Sequence, residues 1–254
     1  MARQLAGRYG ADVGLVLAAR DERKLGQVSD DCLALGTRVL VVRTDVSVEA
    51  ECRQLVDAAV AHFGRLDALI NNAGMSAQAL FEDVKATDLA WYEQLMRINL
   101  WGSVWCTHAA LPFLRQSRGS IVAVSSLAGL IGVPGRTAYS ATKFAMTGFF
   151  EALRAELKNA GVSVTTAYPG VVATNIRHHG LNAAGVAAGS SGLKEDDAMS
   201  VEVCAALILQ GLDRRQREVV MTTQGKLGRW LKLFAPSTVE AMALAALKDE
   251  VKPH

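Results

Sequence analysis

Residues 120–126 read SIVAVSS, a continuous apolar run followed by two hydroxyl side chains. A short run of this kind, rich in β-branched residues, is typical of a strand buried on both faces of a parallel sheet. Four similar runs occur elsewhere in the chain: residues 13–19 (VGLVLAA), 38–43 (RVLVVR), 66–70 (LDALI) and 162–167 (VSVTTA). A final, shorter strand is predicted at residues 218–221 (EVVM). These runs together predict a parallel sheet.

Segments of helical period lie between the apolar runs, at residues 21–35, 47–63, 89–114, 139–159 and 200–212. Asp21 and Ser47 are expected to be N-caps, and Gly36, Gly64 and Gly161 stand where helices should stop. Strands that alternate with helices at this spacing predict a doubly wound, Rossmann-like sheet in three α/β/α layers. We expect residues 1–254 to form a single domain.

Composition excludes several classes of protein. A formal net charge of +2 over 254 residues is too small to indicate a nucleic-acid partner. No apolar run reaches the roughly 18 residues that a membrane-spanning helix needs. The cysteines form no C-x-x-C pair and are predicted to be reduced thiols in a cytoplasmic protein. They are Cys32, Cys52, Cys106 and Cys204.

Ligands of such sheets bind beyond the carboxyl ends of the strands, so the residues that follow each run indicate the site. Polar or small side chains follow each of the first five predicted strands along the chain. We therefore predict that one edge of the sheet carries the ligand-binding residues. The segments are Arg20-Asp21, Thr44-Asp45-Val46, Asn71-Asn72-Ala73-Gly74, Ser125-Ser126 and Tyr168-Pro169-Gly170.

Tyr139 and Lys143 are four residues apart and lie on one face of a predicted helix. A tyrosine pKa near 10 is too high for a base at neutral pH, and a nearby ammonium lowers it. Taken alone, the pair is better explained as part of a solvated helix. Ser126, thirteen residues earlier, could hold a substrate oxygen or serve only as a turn residue. Asn99 lies within a predicted helix, where its amide could also serve only a packing interface.

In order and spacing these residues resemble the short-chain dehydrogenase/reductase family, over residues 1–174. The matching motifs are Asn71-Asn72-Ala73-Gly74, Asn99, Ser126, Tyr139-x-x-x-Lys143 and Pro169-Gly170-x-Val172-x-Thr174.

The resemblance implies reversible hydride transfer between a nicotinamide dinucleotide and an alcohol or carbonyl compound. Tyr139 would exchange the proton of the substrate oxygen, and Ser126 would polarise that oxygen. Lys143 would lower the pKa of Tyr139, assisted by the charge of the oxidised nicotinamide, and bind the nicotinamide ribose. Asn99 would anchor a water molecule in a proton relay.

The resemblance also implies which residues contact the cofactor besides Tyr139 and Lys143. The nicotinamide end would be held by Pro169, Gly170, Val172 and Thr174. The adenine would meet Asp45 and Val46. The adenosine ribose would lie against Asn72, Ala73 and Gly74. No metal ligand is expected.

The choice of cofactor is predicted from the end of the first apolar run. NAD-dependent members of such families place an acidic residue there to bind the ribose 2′-hydroxyl. In this chain Ala19 stands at that position and Arg20 follows it. Because a guanidinium binds a phosphate through two charge-assisted hydrogen bonds, we favour NADP(H), with NAD(H) as the alternative.

The family's glycine-rich cofactor loop, with the strand before it, is expected to precede Met1. Gly7, Gly10 and Gly14 do not replace this loop, because none follows a strand and opens a helix. Either the protein is longer, or the chain is a truncated form with impaired cofactor binding. We prefer the first explanation because the catalytic set is complete.

The last third of the chain is less informative. Residues 175–198, which include His178 and His179, are predicted to form a substrate lid rather than a metal site. Residues 224–248 are predicted to form an amphipathic helix with an apolar stripe that includes Trp230 and Phe234. We expect this stripe to pack on the domain or on a partner subunit, with peripheral membrane contact as the less favoured alternative.

This tail resembles retinol-dehydrogenase-like members of the family, which suggests a lipophilic alcohol or ketone. The resemblance further implies a homodimer or homotetramer, assembled through the helices that contain Asn99 and Tyr139. Two other functions remain open: a non-catalytic protein of the same fold, and a nucleotide-sugar epimerase or dehydratase. The last would need a larger carboxyl-terminal domain than this chain provides.

Overall fold

The computed structural model describes residues 1–189 and 198–250. Its strands are β1 (Gly14–Ala19), β2 (Arg38–Arg43), β3 (Ala68–Asn71), β4 (Ser120–Val124), β5 (Ser163–Tyr168) and β6 (Glu218–Val220). Its α-helices are α1 (Ala2–Tyr9), α2 (Glu22–Leu33), α3 (Glu49–Phe63), α4 (Ala90–Met96), α5 (Gly102–Ser117), α6 (Thr137–Leu157), α7 (Val201–Asp213), α8 (Thr223–Phe234) and α9 (Pro236–Glu250). Every predicted strand is present within two residues of its expected bounds.

The strands form two parallel sheets rather than one. β1 pairs with β2, and the other four follow the order β3-β4-β5-β6. Each neighbouring pair is parallel. The predicted doubly wound, Rossmann-like fold is therefore confirmed, with the sheet divided between β1 and β3.

Burial differs between the two sheets. Nearly all residues of β4 and β5 are buried, as the continuous apolar runs predict. β2 is instead partly exposed along its whole length, because it has a strand neighbour on one side only. The sequence run alone did not distinguish a central strand from an edge strand.

Helices α3 and α5 join the two sheets. Cys52 and Cys106, from these two helices, form a buried cluster against Val16 of β1 and Leu69 of β3. Because one apolar layer covers both sheets, β1 and β3 are held in a single core although no backbone hydrogen bonds connect them.

Three helix predictions were wrong in detail. Ser47 does not cap α3, whose N-cap is Val48; the Ser47 hydroxyl instead donates to Asp45 at 2.7 Å. The predicted helix 89–114 is interrupted by a π-helical turn, Arg97–Trp101. The predicted helix 224–248 is two helices that meet at Pro236, because proline cannot donate the backbone hydrogen bond of a continuous helix.

The apolar stripe of α8 does not pack on the domain as expected. Leu227, Trp230 and Phe234 are among its most exposed residues. Its buried face carries Gly225 instead. The packing prediction is therefore wrong for contacts within the chain.

Part of the predicted lid lies in the described residues. Leu181 is buried and forms isolated bridges with Ala77 and Ala187. Residues 190–197 of the predicted lid lie outside the described residues. Within residues 1–189 and 198–250, no helix combines the length and the apolar character that crossing a bilayer requires. The same residues contain no cluster of histidine, cysteine and carboxylate side chains that could hold a metal ion.

Candidate active site

Tyr139 and Lys143 lie in the first two turns of α6, at the carboxyl end of the β3–β6 sheet. Their separation of one helical turn places the Lys143 Nζ 5.7 Å from the centroid of the Tyr139 ring. Tyr139 also packs beside a cluster that includes Trp91 and Leu95. The predicted pair on one helix face is therefore formed, and it is partly shielded from solvent.

Lys143 is a buried cation. Only 4% of the surface of Lys143 is exposed to solvent. Its Nζ donates a hydrogen bond to the Val124 carbonyl oxygen at 3.0 Å. Burial disfavours the charged ammonium and lowers the pKa of Lys143 from 10.5 to about 8. The last carbonyl of β4 thus supplies a polar partner for a charge that the interior would otherwise penalise.

The surroundings that this chain provides raise the pKa of Tyr139 above its ordinary value. Burial raises it by disfavouring the phenolate, while a hydrogen bond with the Ser126 side chain and the charges of Arg136 and Arg177 oppose the rise. The residues of this chain alone therefore do not produce the predicted lowering of the Tyr139 pKa by Lys143. It stays a prediction for the complex with an oxidised nicotinamide, whose positive charge would act in that direction.

Ser126 is positioned by the turn that follows β4. Its Oγ accepts a hydrogen bond from the Ala128 backbone N–H at 3.2 Å. The neighbouring Ser125 Oγ donates to the Lys143 carbonyl oxygen at 3.2 Å and ties this turn to α6. A Cβ on Gly129 would lie 2.7 Å from the same carbonyl oxygen, so only glycine permits this close approach. Both proposed roles of Ser126, turn residue and substrate contact, are compatible with its position.

Asn99 is fully buried in the π-helical turn. Its Oδ1 accepts from the Met75 backbone N–H at 2.7 Å, and its Nδ2 donates to the Met75 carbonyl oxygen and to the Thr142 hydroxyl, both at 2.9 Å. These contacts match the packing-interface explanation, because both amide protons are already used. The water-anchoring role of Asn99 stays a prediction.

One cavity of about 740 Å³ brings most of the predicted site together. Its lining includes three of the four predicted catalytic residues, Ser126, Tyr139 and Lys143. It also includes these predicted cofactor residues: Asn72, Ala73, Gly74, Pro169, Gly170, Val172 and Thr174. Segments that follow β3, β4 and β5 thus converge at one rim, as the fold predicts.

The rim fits the nicotinamide half of a dinucleotide. A Cβ on Gly74 would lie 3.3 Å from the Asn99 Oδ1 and 3.7 Å from the Lys143 Nζ, so the glycine leaves open space beside the ammonium. Lys143 would hold the ribose hydroxyls there, and the loop from Pro169 to Thr174 would hold the carboxamide.

Several lining residues were not predicted from the sequence. Arg136 and Arg177 contribute positive charge near Tyr139. Four more lie on α7, at the helical spacing i, i+3, i+4 and i+7: Val201, Cys204, Ala205 and Ile208. That spacing is visible in the sequence, but it indicates only a buried helix face and not which cavity the face borders. The other unpredicted lining residues are Met1, Ser76, Val124, Leu127, Ala128, Val133, Val171 and Ile176.

Arg20, Asp45 and Val46 lie away from this cavity, at the ends of β1 and β2. The Arg20 Nη1 is 4.0 Å from the Asp45 Oδ2. Burial tends to raise the pKa of Asp45, but hydrogen bonds from Ser47 and the charges of Arg20 and Arg43 lower it overall. The Val46 carbonyl oxygen accepts from the Cys52 thiol at 3.5 Å. The structure brings these three residues together but separates them from the catalytic group.

Comparison with known proteins identifies relatives. Residues 1–184 match the family model described as short chain dehydrogenase. The chain is 36% identical to 11-beta-hydroxysteroid dehydrogenase A of Sesamum indicum in an alignment of 232 residues that covers 89% of this chain and 66% of that protein. It is also 36% identical to 11-beta-hydroxysteroid dehydrogenase 1A of Arabidopsis thaliana over 251 residues, covering 93% of this chain and 69% of that protein. The chain thus spans about two thirds of the length of these relatives.

Solved structures share the fold. A short chain dehydrogenase/reductase from Burkholderia phymatum in complex with NAD matches with a TM-score of 0.74 and 25% identity, over 89% of this chain and 85% of that chain. An alcohol dehydrogenase from the archaeon Thermococcus sibiricus, complexed with 5-hydroxy-NADP, matches with a TM-score of 0.71 and 20% identity, over 87% of this chain and 88% of that chain. The second likeness concerns the fold alone.

The lowered pKa of Lys143 predicts a pH-dependent stability. Between pH 8 and 10.5 the unfolded chain binds more protons at this lysine than the folded chain does. The free energy of unfolding therefore rises with pH across that window. Relative to Lys143→Met, the unsubstituted protein should gain up to about 3 kcal/mol between the two ends of the window, measured by urea denaturation. Lys158→Met, at an exposed position, should show no such divergence, and parallel curves for Lys143→Met would contradict the assignment.

Proposed function

Because this chain belongs to the short-chain dehydrogenase family, we propose that it transfers a hydride between NADP(H) and an alcohol or carbonyl substrate. The observation that carries the proposal is the convergence of Ser126, Tyr139 and Lys143 on one cavity. The NAD and 5-hydroxy-NADP complexes of proteins with the same fold support a nicotinamide cofactor.

The nicotinamide, when bound, supplies or accepts the hydride. In the reducing direction the Tyr139 hydroxyl donates its proton to the substrate oxygen, and the raised pKa of Tyr139 keeps this phenol protonated at neutral pH. The Ser126 hydroxyl donates a hydrogen bond to the same oxygen and stabilises the charge that develops there. In the oxidising direction the Tyr139 phenolate accepts the proton of the substrate hydroxyl and becomes a phenol, and the Lys143 ammonium stabilises the phenolate from which this step starts.

The substrate that we propose is a lipophilic alcohol or ketone of the hydroxysteroid or retinoid type. Two observations support this class. The relatives of this chain include proteins named 11-beta-hydroxysteroid dehydrogenase. Helix α7 gives the cavity an apolar wall, which includes Val201, Ala205 and Ile208. An apolar wall favours a largely apolar ligand because water is released from both surfaces on binding.

NADP(H) is the proposed form of the cofactor. Arg20 follows β1 directly and has a side chain that is 62% exposed, so its guanidinium is accessible to a 2′-phosphate. Its contact with Asp45 is long at 4.0 Å, and an exposed pair of this kind is weak. A phosphate could therefore compete for the guanidinium.

We further propose that a strand and a glycine-rich loop outside residues 1–254 complete the sheet between β1 and β3. The support is the division of the sheet at that point, since β1 pairs only with β2 and β3 only with β4 in the described residues. Unpaired strand edges within a fold carry a cost that an additional strand would remove. The alternative is a non-catalytic protein with impaired cofactor binding.

Two broader expectations also remain proposals. We propose a homodimer or homotetramer assembled through α5 and α6, where Trp101 beside α5 and Phe144 on α6 are 46% and 37% exposed. We propose a cytoplasmic location, which is supported by four buried cysteines that are all free thiols.

Replacing the phenol tests the proposed chemistry. Tyr139→Phe should lower the rate of NADPH oxidation with a hydroxysteroid or retinoid carbonyl substrate by about 10²- to 10⁴-fold, because the proton donor is lost. Binding of NADPH, followed by its fluorescence, should change little. Tyr92→Phe is the matched control, since its hydroxyl contacts Thr137 at 2.8 Å and not the cavity. An unchanged rate in Tyr139→Phe would refute the proposed mechanism.

Removing the guanidinium tests the cofactor preference. Arg20→Gln should weaken NADPH binding by about 10- to 100-fold through loss of a charge-assisted hydrogen bond, and should leave NADH binding nearly unchanged. Lys24→Gln removes a neighbouring exposed cation on α2. This control should change the binding of NADPH and of NADH only slightly and to the same extent. Equal weakening of NADH and NADPH by Arg20→Gln would argue against a 2′-phosphate contact.

The native polypeptide tests the proposed additional strand. Its intact mass should exceed that calculated for residues 1–254, and titration with NADPH should give saturable binding. A native chain that begins at Met1 and still turns over NADPH would contradict the proposal. A native chain that begins at Met1 and binds no NADPH would instead support the non-catalytic alternative.

A further inference from the structure

Met146 places its sulfur atom against the ammonium of Lys143. The two residues lie three positions apart on α6, so their side chains share one face of the helix. The Lys143 Nζ lies 3.5 Å from the Met146 Sδ and donates to it. The thioether is the only polar group of a methionine side chain, and it is a weak hydrogen-bond acceptor.

Both partners of this contact are buried. Met146 is fully enclosed in the apolar cluster that includes Ile121 and Phe150. A buried ammonium cannot replace a lost protein partner by water, so each acceptor that it meets offsets part of the cost of burial. The Val124 carbonyl oxygen at 3.0 Å is the other acceptor. Within the part of the chain that the structure describes, the charge of Lys143 is therefore held by one carbonyl oxygen and one sulfur.

The other neighbours of the ammonium are neutral. The ring centroid of Tyr139 lies 5.7 Å from the Nζ. A Cβ on Gly74, in the loop after β3, would lie 3.7 Å from the Nζ and 3.3 Å from the Oδ1 of Asn99. Burial is the cause that lowers the pKa of Lys143. Elements that pack against α6 carry further titratable side chains, and none of these described residues contributes to that shift: Tyr92 and Glu93 of α4, Arg97 of the π-helical turn and Tyr168 of β5.

We propose that Met146 is a positioning residue that holds the Lys143 ammonium at the wall of the cavity. An ammonium has three N–H donors, and the Val124 carbonyl oxygen and the Met146 sulfur engage two of them. These two partners fix the Nζ beside the space that Gly74 leaves open. The third donor can then serve a ligand in the cavity.

The proposal assigns the effect to the sulfur and not to the volume of the side chain. Leucine at position 146 would conserve most of the volume and would accept no hydrogen bond. The ammonium would keep its cost of burial and lose an acceptor, so the neutral amine would be favoured. Glutamine is unbranched like methionine, and its amide oxygen is a stronger acceptor than sulfur. The two substitutions therefore predict opposite changes at Lys143.

The contact has a consequence for catalysis, and this consequence rests on the proposed function. The Lys143 ammonium stabilises the Tyr139 phenolate, so a lysine that loses its proton more easily supports oxidation over a narrower pH range. In the oxidising direction, Met146→Leu should move the alkaline decline of kcat to lower pH by about half a unit. The KM of the alcohol should change little, and Met146→Gln should restore the profile.

Titration of Lys143 tests the contact without any catalytic measurement. In protein isotopically labelled at the lysine ε-carbon, the NMR signal of Lys143 is identified by its loss in Lys143→Met, and its pKa should be about 8. Met146→Leu should lower this pKa by about half a unit, because a weak hydrogen bond to the charged form is lost. Met146→Gln should raise it. Each direction is a test by itself if the other variant does not fold.

Met221→Leu is the matched control. The sulfur of Met221 also has a polar contact, 3.7 Å from the Cys204 Sγ, and it lies beyond β6 and away from Lys143. This variant should leave the pKa of Lys143 unchanged. An unchanged pKa in both Met146 variants, or a fall of the same size in both, would overturn the proposal. A lower pKa in Met146→Leu without a shifted kcat profile would support the contact and contradict the proposed catalytic role of Lys143.

Discussion

The amide of Asn99 connects three segments on which the active site depends. It holds Met75 through both the backbone N–H and the carbonyl oxygen, and it donates to the Thr142 hydroxyl. The first contact fixes the loop after β3, which carries Asn72 and Gly74 to the cavity. The second fixes α6 between Tyr139 and Lys143. A fully buried amide with its donors satisfied defines a single arrangement, because any displaced alternative leaves polar groups unpaired.

The π-helical turn explains how an asparagine can make these contacts inside a helical segment. A π turn widens the helix by one residue, and such turns are frequent at functional sites. Asn99 lies within the turn Arg97–Trp101, between α4 and α5. The polar side chain that disfavours a regular helix is thus accommodated where the helix is already irregular.

Burial gives the site its electrostatic character. It lowers the pKa of Lys143 to about 8 and raises that of Tyr139. Both shifts favour the neutral forms, and the Val124 carbonyl oxygen offsets part of the cost for Lys143. With a pKa of about 8, Lys143 is still mostly an ammonium at neutral pH, so it can stabilise the Tyr139 phenolate when this group exchanges its proton with a substrate oxygen. The same apolar surroundings suit a lipophilic ligand.

The sequence by itself determined the strands, the order of the elements along the chain and ten of the residues that line the cavity, three of them predicted to be catalytic. Apolar runs and helical periodicity are local signals, and Tyr139 and Lys143 meet because one helical turn separates them. Ser126 was identifiable because the carboxyl end of a buried strand faces the ligand in such sheets.

Only the tertiary structure decided the contacts of Asn99, the burial of Lys143, the wall formed by α7 and the outward direction of the apolar side chains of α8. Each of these depends on which distant segment packs opposite, as Gly225 against Leu127 shows. The periodicity of α8 indicated an apolar face, but that pattern is the same whether the face meets the core or the solvent. Close contacts at its glycines decided between the two.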